Sequence, residues 1–100
     1  MGETALHKAC LNGKTETAQL LIKFSKEFGI DLNAKDEDGR TGLHWACSDA
    51  RTETVQMILK NWKEFGIDIK AQNNNGEIAL DVIKRKEGER YDQIKKLRLR

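Results

Sequence analysis

The sequence predicts an all-α solenoid of three stacked helix-turn-helix units joined by β-hairpin-like loops. The first observation behind this prediction is an internal repeat. Residues 4–37 match residues 41–74 at 17 of 34 positions without a gap, at a step of 37 residues. The second is that each copy has apolar residues at helical spacing between cap and turn residues. The third is the absence of proline, which suits a helix-rich chain. One such unit cannot bury its own apolar face, whereas three stacked units can.

The chain length predicts a single domain over residues 1–100. A chain of 100 residues buries roughly 65% of its unfolded surface, which is enough for one core. The repeat divides it into unit 1 (about 1–37), unit 2 (38–74) and unit 3 (75–100). Unit 3 diverges, and its expected long helix near 89–98 is rich in charge. We therefore expect unit 3 to act as a cap, because the end of a stack must face water.

Each unit is predicted to open with a short helix. Thr4 and Thr41 each stand before an apolar pattern, where a helix N-cap belongs. The short helices are expected near residues 5–12 and 42–49.

A turn follows each short helix. Gly13 is suited to the left-handed conformation that ends a helix, but Ala50 takes its place in unit 2. We expect strain or a reshaped turn there, because alanine lacks the freedom of glycine. Thr15 and Thr52 are then predicted to cap a longer helix, which ends at a glycine in each unit.

The long helices carry the predicted buried stripe. Trp62 is expected to pack with Phe28 and Phe65. The full stripe is Ala18, Leu21, Ile22, Ser25 and Phe28 in unit 1, and Val55, Ile58, Leu59, Trp62 and Phe65 in unit 2.

Tight turns are predicted where the units join. The segments NAKDEDGRT at 33–41 and KAQNNNGEI at 70–78 contain Asp-Gly and Asn-Gly, which are strong turn dipeptides. We refer to these segments as the first and second hairpin loops.

The stretches TALHKA, TGLHWA and IALDVI resemble the T-P-L-H-x-A signature of the ankyrin repeat family. Proline is replaced by Ala5, Gly42 and Ala79, and the step exceeds the usual period of about 33 residues. The four extra residues equal about one helical turn, and we place them at the end of each long helix. The resemblance implies that each histidine bonds to its own threonine and to neighbouring turn backbone. It also implies that partners dock on the hairpin tips and the short inner helices.

Metal, cofactor and catalytic sites are not predicted. The residues His7, Cys10, His44 and Cys47 have ligand chemistry, but equivalent residues on stacked helices lie about 8–10 Å apart. Zinc requires donors within about 2.0–2.3 Å of one point. The stretch AKDEDGR fails as a calcium loop, because Ala34 and Trp45 occupy ligand positions. There is no phosphate loop, nucleophile elbow or paired acid and base, so the prediction is a non-enzymatic protein with no cofactor.

A partner protein is expected to bind the hairpin tips and the short inner helices, at positions where the two copies differ in sequence. Trp45 stands out, since its counterparts are Lys8 and Val82 and tryptophan is a frequent binding anchor. The alternative for Trp45 is packing between the inner helices. The predicted partner-binding residues are Lys8, Lys35, Glu37, Asp38, Arg40, Trp45, Ser48, Asp49, Gln72, Asn74, Asn75, Glu77 and Arg85.

An alternative function rests on the basic end of the chain. Residues 84–100 contain eight basic and three acidic residues, and include KRK at 84–86 and KKLRLR at 95–100. This segment suggests nucleic-acid or nuclear-import binding. Nucleic acid is disfavoured, because DNA phosphates require an unbroken basic strip. The absence of a signal peptide, of an apolar membrane span and of a secretory cysteine pattern predicts a location inside the cell, in the cytoplasm or the nucleus. The chain is expected to be a monomer.

Overall fold

The structure is a computed structural model that describes residues 2–86. These residues form helices, turns and loops. It contains six helices and no strand within those residues. The all-α prediction is therefore confirmed. The helices are α1 (Ala5–Leu11), α2 (Thr15–Lys23), α3 (Ser25–Phe28), α4 (Gly42–Ser48), α5 (Thr52–Phe65) and α6 (Ala79–Lys86).

The helices form two rows. In the inner row α1 packs on α4, and α4 packs on α6. In the outer row α2 packs on α5. Within units 1 and 2 the short helix also contacts the long one. The predicted long helix near 89–98 lies outside the described residues.

The core runs along the contacts between the rows and is built from equivalent residues of successive units. Leu6, Leu43 and Leu80 are all at most 5% exposed, and Cys10 is fully buried. Burial raises the pKa of the Cys10 thiol to about 12, so the thiol stays protonated and packs as a small apolar group. Burial, together with the nearby Cys10, also raises the pKa of Cys47.

The short helices begin as predicted. Thr4 and Thr41 have extended backbones and accept a hydrogen bond from the backbone N–H of His7 and His44, respectively. Each histidine side chain in turn accepts from the backbone N–H of its own threonine, at 3.0 and 3.2 Å. This reciprocal capping box satisfies two helix N-terminal donors in each unit.

The turn after each short helix is left-handed in both units. Gly13 has φ 66°, and Ala50 has φ 55°. Unit 2 therefore keeps the backbone of unit 1 and holds its alanine in a conformation that costs roughly 1–2 kcal/mol for an L-residue. The prediction of strain at Ala50 is confirmed.

The predicted threonine caps of the long helices are wrong. Lys14 and Arg51 occupy the N-cap positions, and neither makes a side-chain capping bond. Thr15 and Thr52 are the first helical residues, because the left-handed turn brings the chain into the helix one residue earlier than expected. Thr15 instead bonds across the outer row, its Oγ1 lying 2.8 Å from Oγ1 of Thr54.

The long helix is continuous in unit 2 and divided in unit 1. Phe24 separates α2 from α3 with φ −99° and ψ 15°, whereas α5 runs unbroken to Phe65. The predicted packing of Phe28 with Trp62 is also wrong, since Phe28 is 72% exposed. Trp62 and Phe65 are half-buried against the core.

Candidate partner-binding surface

Asp36 organises the first hairpin loop. Its Oδ1 accepts hydrogen bonds from the backbone N–H groups of Asp38 and Arg40, both at 2.9 Å. Its Oδ2 accepts from the Arg40 guanidinium at 3.2 Å and from the indole N–H of Trp45 at 2.8 Å. One carboxylate therefore fixes the loop, a basic side chain and an aromatic side chain relative to one another.

The charge of Asp36 is stabilised although the residue is buried. Burial acts to raise the pKa of Asp36, but the hydrogen bonds from Arg40, Trp45 and Asp38 and the charge of Arg40 outweigh it. The pKa of Asp36 therefore lies below its ordinary 3.8. The carboxylate remains ionised at neutral pH, as a multiple acceptor must.

Asn73 performs the same task in the second hairpin loop. It stands 37 residues after Asp36, and its Oδ1 accepts from the backbone N–H groups of Asn75 and Glu77, both at 2.9 Å. Its side-chain amide donates to Oε1 of Glu77 at 3.2 Å. The Asn73 amide therefore keeps the loop geometry that Asp36 gives the first loop, but it carries no negative charge.

The two hairpin loops lie side by side. The backbone N–H of Asn74 donates to the carbonyl of Asp38 at 2.9 Å, and its side-chain amide donates to the carbonyl of Glu37 at 3.1 Å. Gly39 allows this approach, because a Cβ there would meet Oδ1 of Asn74 at 2.5 Å. Lys35 adds a bond from Nζ to the carbonyl of Gln72 at 3.0 Å. The loop tips therefore form one hydrogen-bonded row.

Each capping histidine also ties its helix to the next hairpin loop. Nε2 of His7 lies 2.7 Å from the carbonyl of Arg40, and Nε2 of His44 lies 2.8 Å from the carbonyl of Glu77. A carbonyl only accepts, so Nε2 carries the proton, and Nδ1 accepts from the threonine N–H. The resemblance implied these bonds, and the structure contains them.

Trp45 packs within the junction between units 1 and 2. Its ring makes an edge contact with His7 at 5.3 Å between centroids, and the Arg40 guanidinium lies 5.5 Å from its centroid. With the indole N–H bonded to Asp36, this half-buried residue has a structural role. The partly covered ring remains at the edge of the inner row.

A groove of about 210 Å³ lies between the hairpin loops and the inner row. Two ion pairs border it: Arg40 with Asp38 at 3.0 Å, and Arg85 with Glu77 at 2.9 Å. Hydrogen bonds from Arg85 and Asn73 hold the pKa of Glu77 below its ordinary value. The groove brings together seven of the predicted residues: Asp38, Arg40, Ser48, Asn74, Asn75, Glu77 and Arg85.

The remaining predicted residues lie around this groove rather than along it. Lys35, Glu37 and Gln72 are exposed on the hairpin loops, and Lys8 is exposed on α1. Asp49 follows α4, and its carboxylate lies 3.9 Å from Arg51. Trp45 occupies the unit junction.

Sequence reasoning missed three residues that line the groove and the residue that shapes the first loop. His44, Asn73 and Val82 line the groove, and Asp36 orients Arg40 and Trp45. The signal for the loop residues was present. An aspartate or asparagine stands three positions before the turn glycine in both copies, and such side chains bond to backbone two residues onward.

The predicted basic segment is only partly described. Arg85 is on α6 and is paired with Glu77 across the groove. The stretch KKLRLR at 95–100 lies outside the described residues.

A comparison with family models finds a match. A model described as ankyrin repeats (3 copies) covers residues 1–82. The chain belongs to the ankyrin repeat family. Ankyrin repeats are generally protein–protein interaction modules, and the recognition from the threonine–leucine–histidine stretches is confirmed. No curated protein matched this ankyrin chain in sequence.

Between residues 2 and 86, no helix of this ankyrin chain combines the length and apolar character needed to cross a bilayer.

Proposed function

We propose that this ankyrin chain is a non-enzymatic module that holds a partner protein against its hairpin loops and inner row. The observation that supports it best is the groove, where side chains of two loops and two inner helices converge on one surface. These side chains are held in place by the bonds of Asp36 and Asn73, so binding requires little additional ordering.

The charge arrangement favours a polar, mixed-charge protein segment as the partner. Each guanidinium bordering the groove already faces a carboxylate, so neither cation is left to attract a phosphate. The exposed amide of Asn75 offers hydrogen bonds beside these pairs. An extended peptide with backbone amides and alternating polar side chains matches that surface.

The test compares matched charge reversals on the two rows. The partner is first captured with a photo-crosslinker placed at Asn75, and its affinity is then measured for each variant. Lys8→Glu lies on α1 of the inner row, whereas Lys60→Glu lies on α5 of the outer row, and both lysines are exposed. We expect Lys8→Glu to weaken binding about 10-fold, or roughly 1.4 kcal/mol, and Lys60→Glu to leave it unchanged. Equal effects would reject the proposed face.

A salt titration separates this function from binding through the basic end of the chain. Phosphate binding falls by roughly 10³–10⁵ between about 50 and 200 mM salt when 6–10 phosphates are contacted. A partner held mainly by hydrogen bonds and packing loses far less. A steep salt dependence of binding would favour the nucleic-acid alternative.

We also propose that the chain works as a monomer within the cell.

A further inference from the structure

Three turns of the chain place an asparagine or an aspartate directly before a glycine. These dipeptides are Asn12–Gly13 after α1, Asp38–Gly39 in the first hairpin loop and Asn75–Gly76 in the second. The backbone nitrogen of such a glycine is able to attack Cγ of the preceding side chain, because glycine has no Cβ to obstruct the approach. Each dipeptide therefore holds both groups that the reaction joins.

The side-chain amide of Asn75 is available for this reaction. Its side chain is exposed, and in the described part of the chain its amide has no hydrogen-bond partner. The two preceding amides are engaged. Asn73 donates to Oε1 of Glu77 at 3.2 Å, and Asn74 donates to the carbonyl of Glu37 at 3.1 Å. In this run of three asparagines, the last is the one that can turn its Cγ towards the next backbone nitrogen.

The three glycines differ in the space around them. Ring closure requires the peptide before the glycine to rotate, so atoms packed against the glycine resist it. A Cβ built on Gly39 would meet Oδ1 of Asn74 at 2.5 Å, and one built on Gly13 would meet Cδ of Arg51 at 3.0 Å. No described atom lies within 4 Å of the same point on Gly76. Gly39 is buried and Gly13 is half-buried, whereas Gly76 is exposed.

The other two dipeptides are held by further bonds. Asp38 presents a carboxylate, which is a poorer electrophile than an amide, and its Oδ2 accepts from the Arg40 guanidinium at 3.0 Å. Beside Asn12, the carbonyl of Leu11 accepts from Nε of Arg51 at 2.9 Å. The side chain of Arg51 also covers the following glycine, so it holds the backbone on both sides of Asn12.

We propose that Asn75 is a self-modifying site, which loses its amide by reaction with the backbone of Gly76. The nitrogen of Gly76 attacks Cγ of Asn75 and gives its proton to water. The Cγ–Nδ2 bond breaks, and the side-chain nitrogen takes a proton from water and leaves as ammonia. Water then opens the resulting cyclic imide at either of its carbonyls. One product is aspartate, and the other is isoaspartate, in which the backbone continues through Cβ.

The bonds of the second hairpin loop control the rate of this reaction. The N–H of Gly76 donates to the carbonyl of Asn73 at 3.0 Å. Oδ1 of Asn73 also holds the N–H groups of Asn75 and Glu77, both at 2.9 Å. The Gly76 nitrogen attacks only after its own bond opens, so the rate follows the frequency with which this loop opens locally.

Either product alters the groove. Both place a carboxylate at position 75, beside the ion pair of Glu77 with Arg85. Isoaspartate also lengthens the backbone between positions 75 and 76, which moves the N–H of Glu77 away from Asn73. The carbonyl of Glu77, which accepts from Nε2 of His44 at 2.8 Å, moves with it. Weaker partner binding by the modified chain rests on the proposed function of the groove, but the modification itself does not.

Mass spectrometry of the aged chain tests the site. The chain is incubated at mildly alkaline pH, which promotes loss of the Gly76 proton, and deamidation is quantified in peptides that contain Asn12 or Asn75. We expect Asn75 to react about 10-fold faster than Asn12, a difference of about 1.4 kcal/mol in barrier. We also expect isoaspartate at position 75, and no deamidation at that position in an Asn75→Gln chain. Equal rates at the two asparagines, or a faster reaction at Asn12, would overturn the proposal.

Asn73→Ala tests the control by the loop, because it removes the bonds of Oδ1 and leaves the reacting dipeptide intact. We expect Asn75 to react about 5-fold faster in this variant, the factor that corresponds to loss of one hydrogen bond worth about 1 kcal/mol. Asn12 should react at an unchanged rate. An unchanged rate at Asn75 would contradict the control by the loop. A parallel increase at Asn12 would assign the reaction to general unfolding and overturn the proposal.

The purified isoaspartate form is then compared with an Asn75→Asp chain, which has the same charge and a normal backbone. We expect faster hydrogen exchange at residues 73–77 in the isoaspartate form only, and equal exchange in the two would contradict the structural effect. Partner affinity is measured last, on fresh and aged chains. Equal affinity of the two, with deamidation at Asn75 found, would reject the proposed function of the groove and leave the modification established.

Discussion

At the scale of single residues, Ala50 shows how strongly the repeat imposes its backbone. It keeps the left-handed φ of 55° that Gly13 adopts at 66° in unit 1. Ala50→Gly removes the steric cost of that conformation, roughly 1–2 kcal/mol. It also raises the conformational entropy of the unfolded chain, which lowers stability by about 0.4–1 kcal/mol. We expect a net stabilisation of about 0.5–1 kcal/mol, measured by urea unfolding.

The reverse substitution is the matched control. Gly13→Ala places a Cβ 3.0 Å from Cδ of Arg51 at φ 66°, so it should destabilise the chain by about 1 kcal/mol or more. Opposite signs for the two substitutions support the strain argument. Destabilisation by Ala50→Gly would contradict it.

His44 should make stability depend on pH. Burial lowers the pKa of His44 below 6.5, and a proton on Nδ1 would break the bond from the N–H of Thr41. The unfolded chain therefore binds more protons between the lowered folded pKa and about 6.5. Stability is present above that window and falls as the pH drops through it.

The measurement is the urea midpoint as a function of pH, with His44→Gln as the control that cannot titrate. We expect the wild-type midpoint to rise from about pH 5 to pH 7 more steeply than the midpoint of the variant. Parallel profiles would show that His44 contributes nothing to the dependence.

At the scale of elements, the two capping boxes have the same bonds in different surroundings. Thr41 is 5% exposed between two units, whereas Thr4 is half-buried at the front of the stack. Loss of an N-cap side chain costs about 0.5–2 kcal/mol. We expect Thr41→Ala to cost more than Thr4→Ala by about 1 kcal/mol in urea unfolding. A larger loss for Thr4→Ala would contradict the argument from burial.

The sequence predicted the short helices better than the long ones. Thr41 could be identified as an N-cap from the apolar pattern that follows it, and the family resemblance implied its bond to His44. Thr15 has the same residue type, but its hydroxyl bonds to Thr54, 39 residues away. The division of the outer helix at Phe24 has no local breaker such as glycine or proline, so periodicity alone could not reveal it.

At the scale of the whole molecule, unit 2 should make units 1 and 3 unfold together. Leu43 is 3% exposed on α4, which packs on both α1 and α6. Leu43→Ala should cost about 2–5 kcal/mol and lower the urea midpoint of the whole stack in a single transition. Gln72→Ala, at an exposed site, should change stability by less than about 0.5 kcal/mol. Two separate transitions in the Leu43 variant would show that the units unfold independently.

The location of the groove was foreseen in part, since seven of the predicted residues line it, while their binding of a partner stays a prediction. The hydrogen bonds within the candidate site were not predictable from the sequence. The bonds of Asp36 to Arg40 and Trp45 depend on a loop that folds back onto its own helix, and sequence spacing does not specify that contact. Burial was unpredictable for a related reason, because Thr17 and Thr54 are equivalent residues of the same type and only Thr54 is buried.

Hydrogen–deuterium exchange of the chain with and without its captured partner tests the binding face most directly. The proposed function predicts slower exchange in the partner complex at residues 72–77 and 45–49, which border the groove, and unchanged exchange in the exposed turns of α5. Protection along α5 with none at the hairpin loops would contradict it.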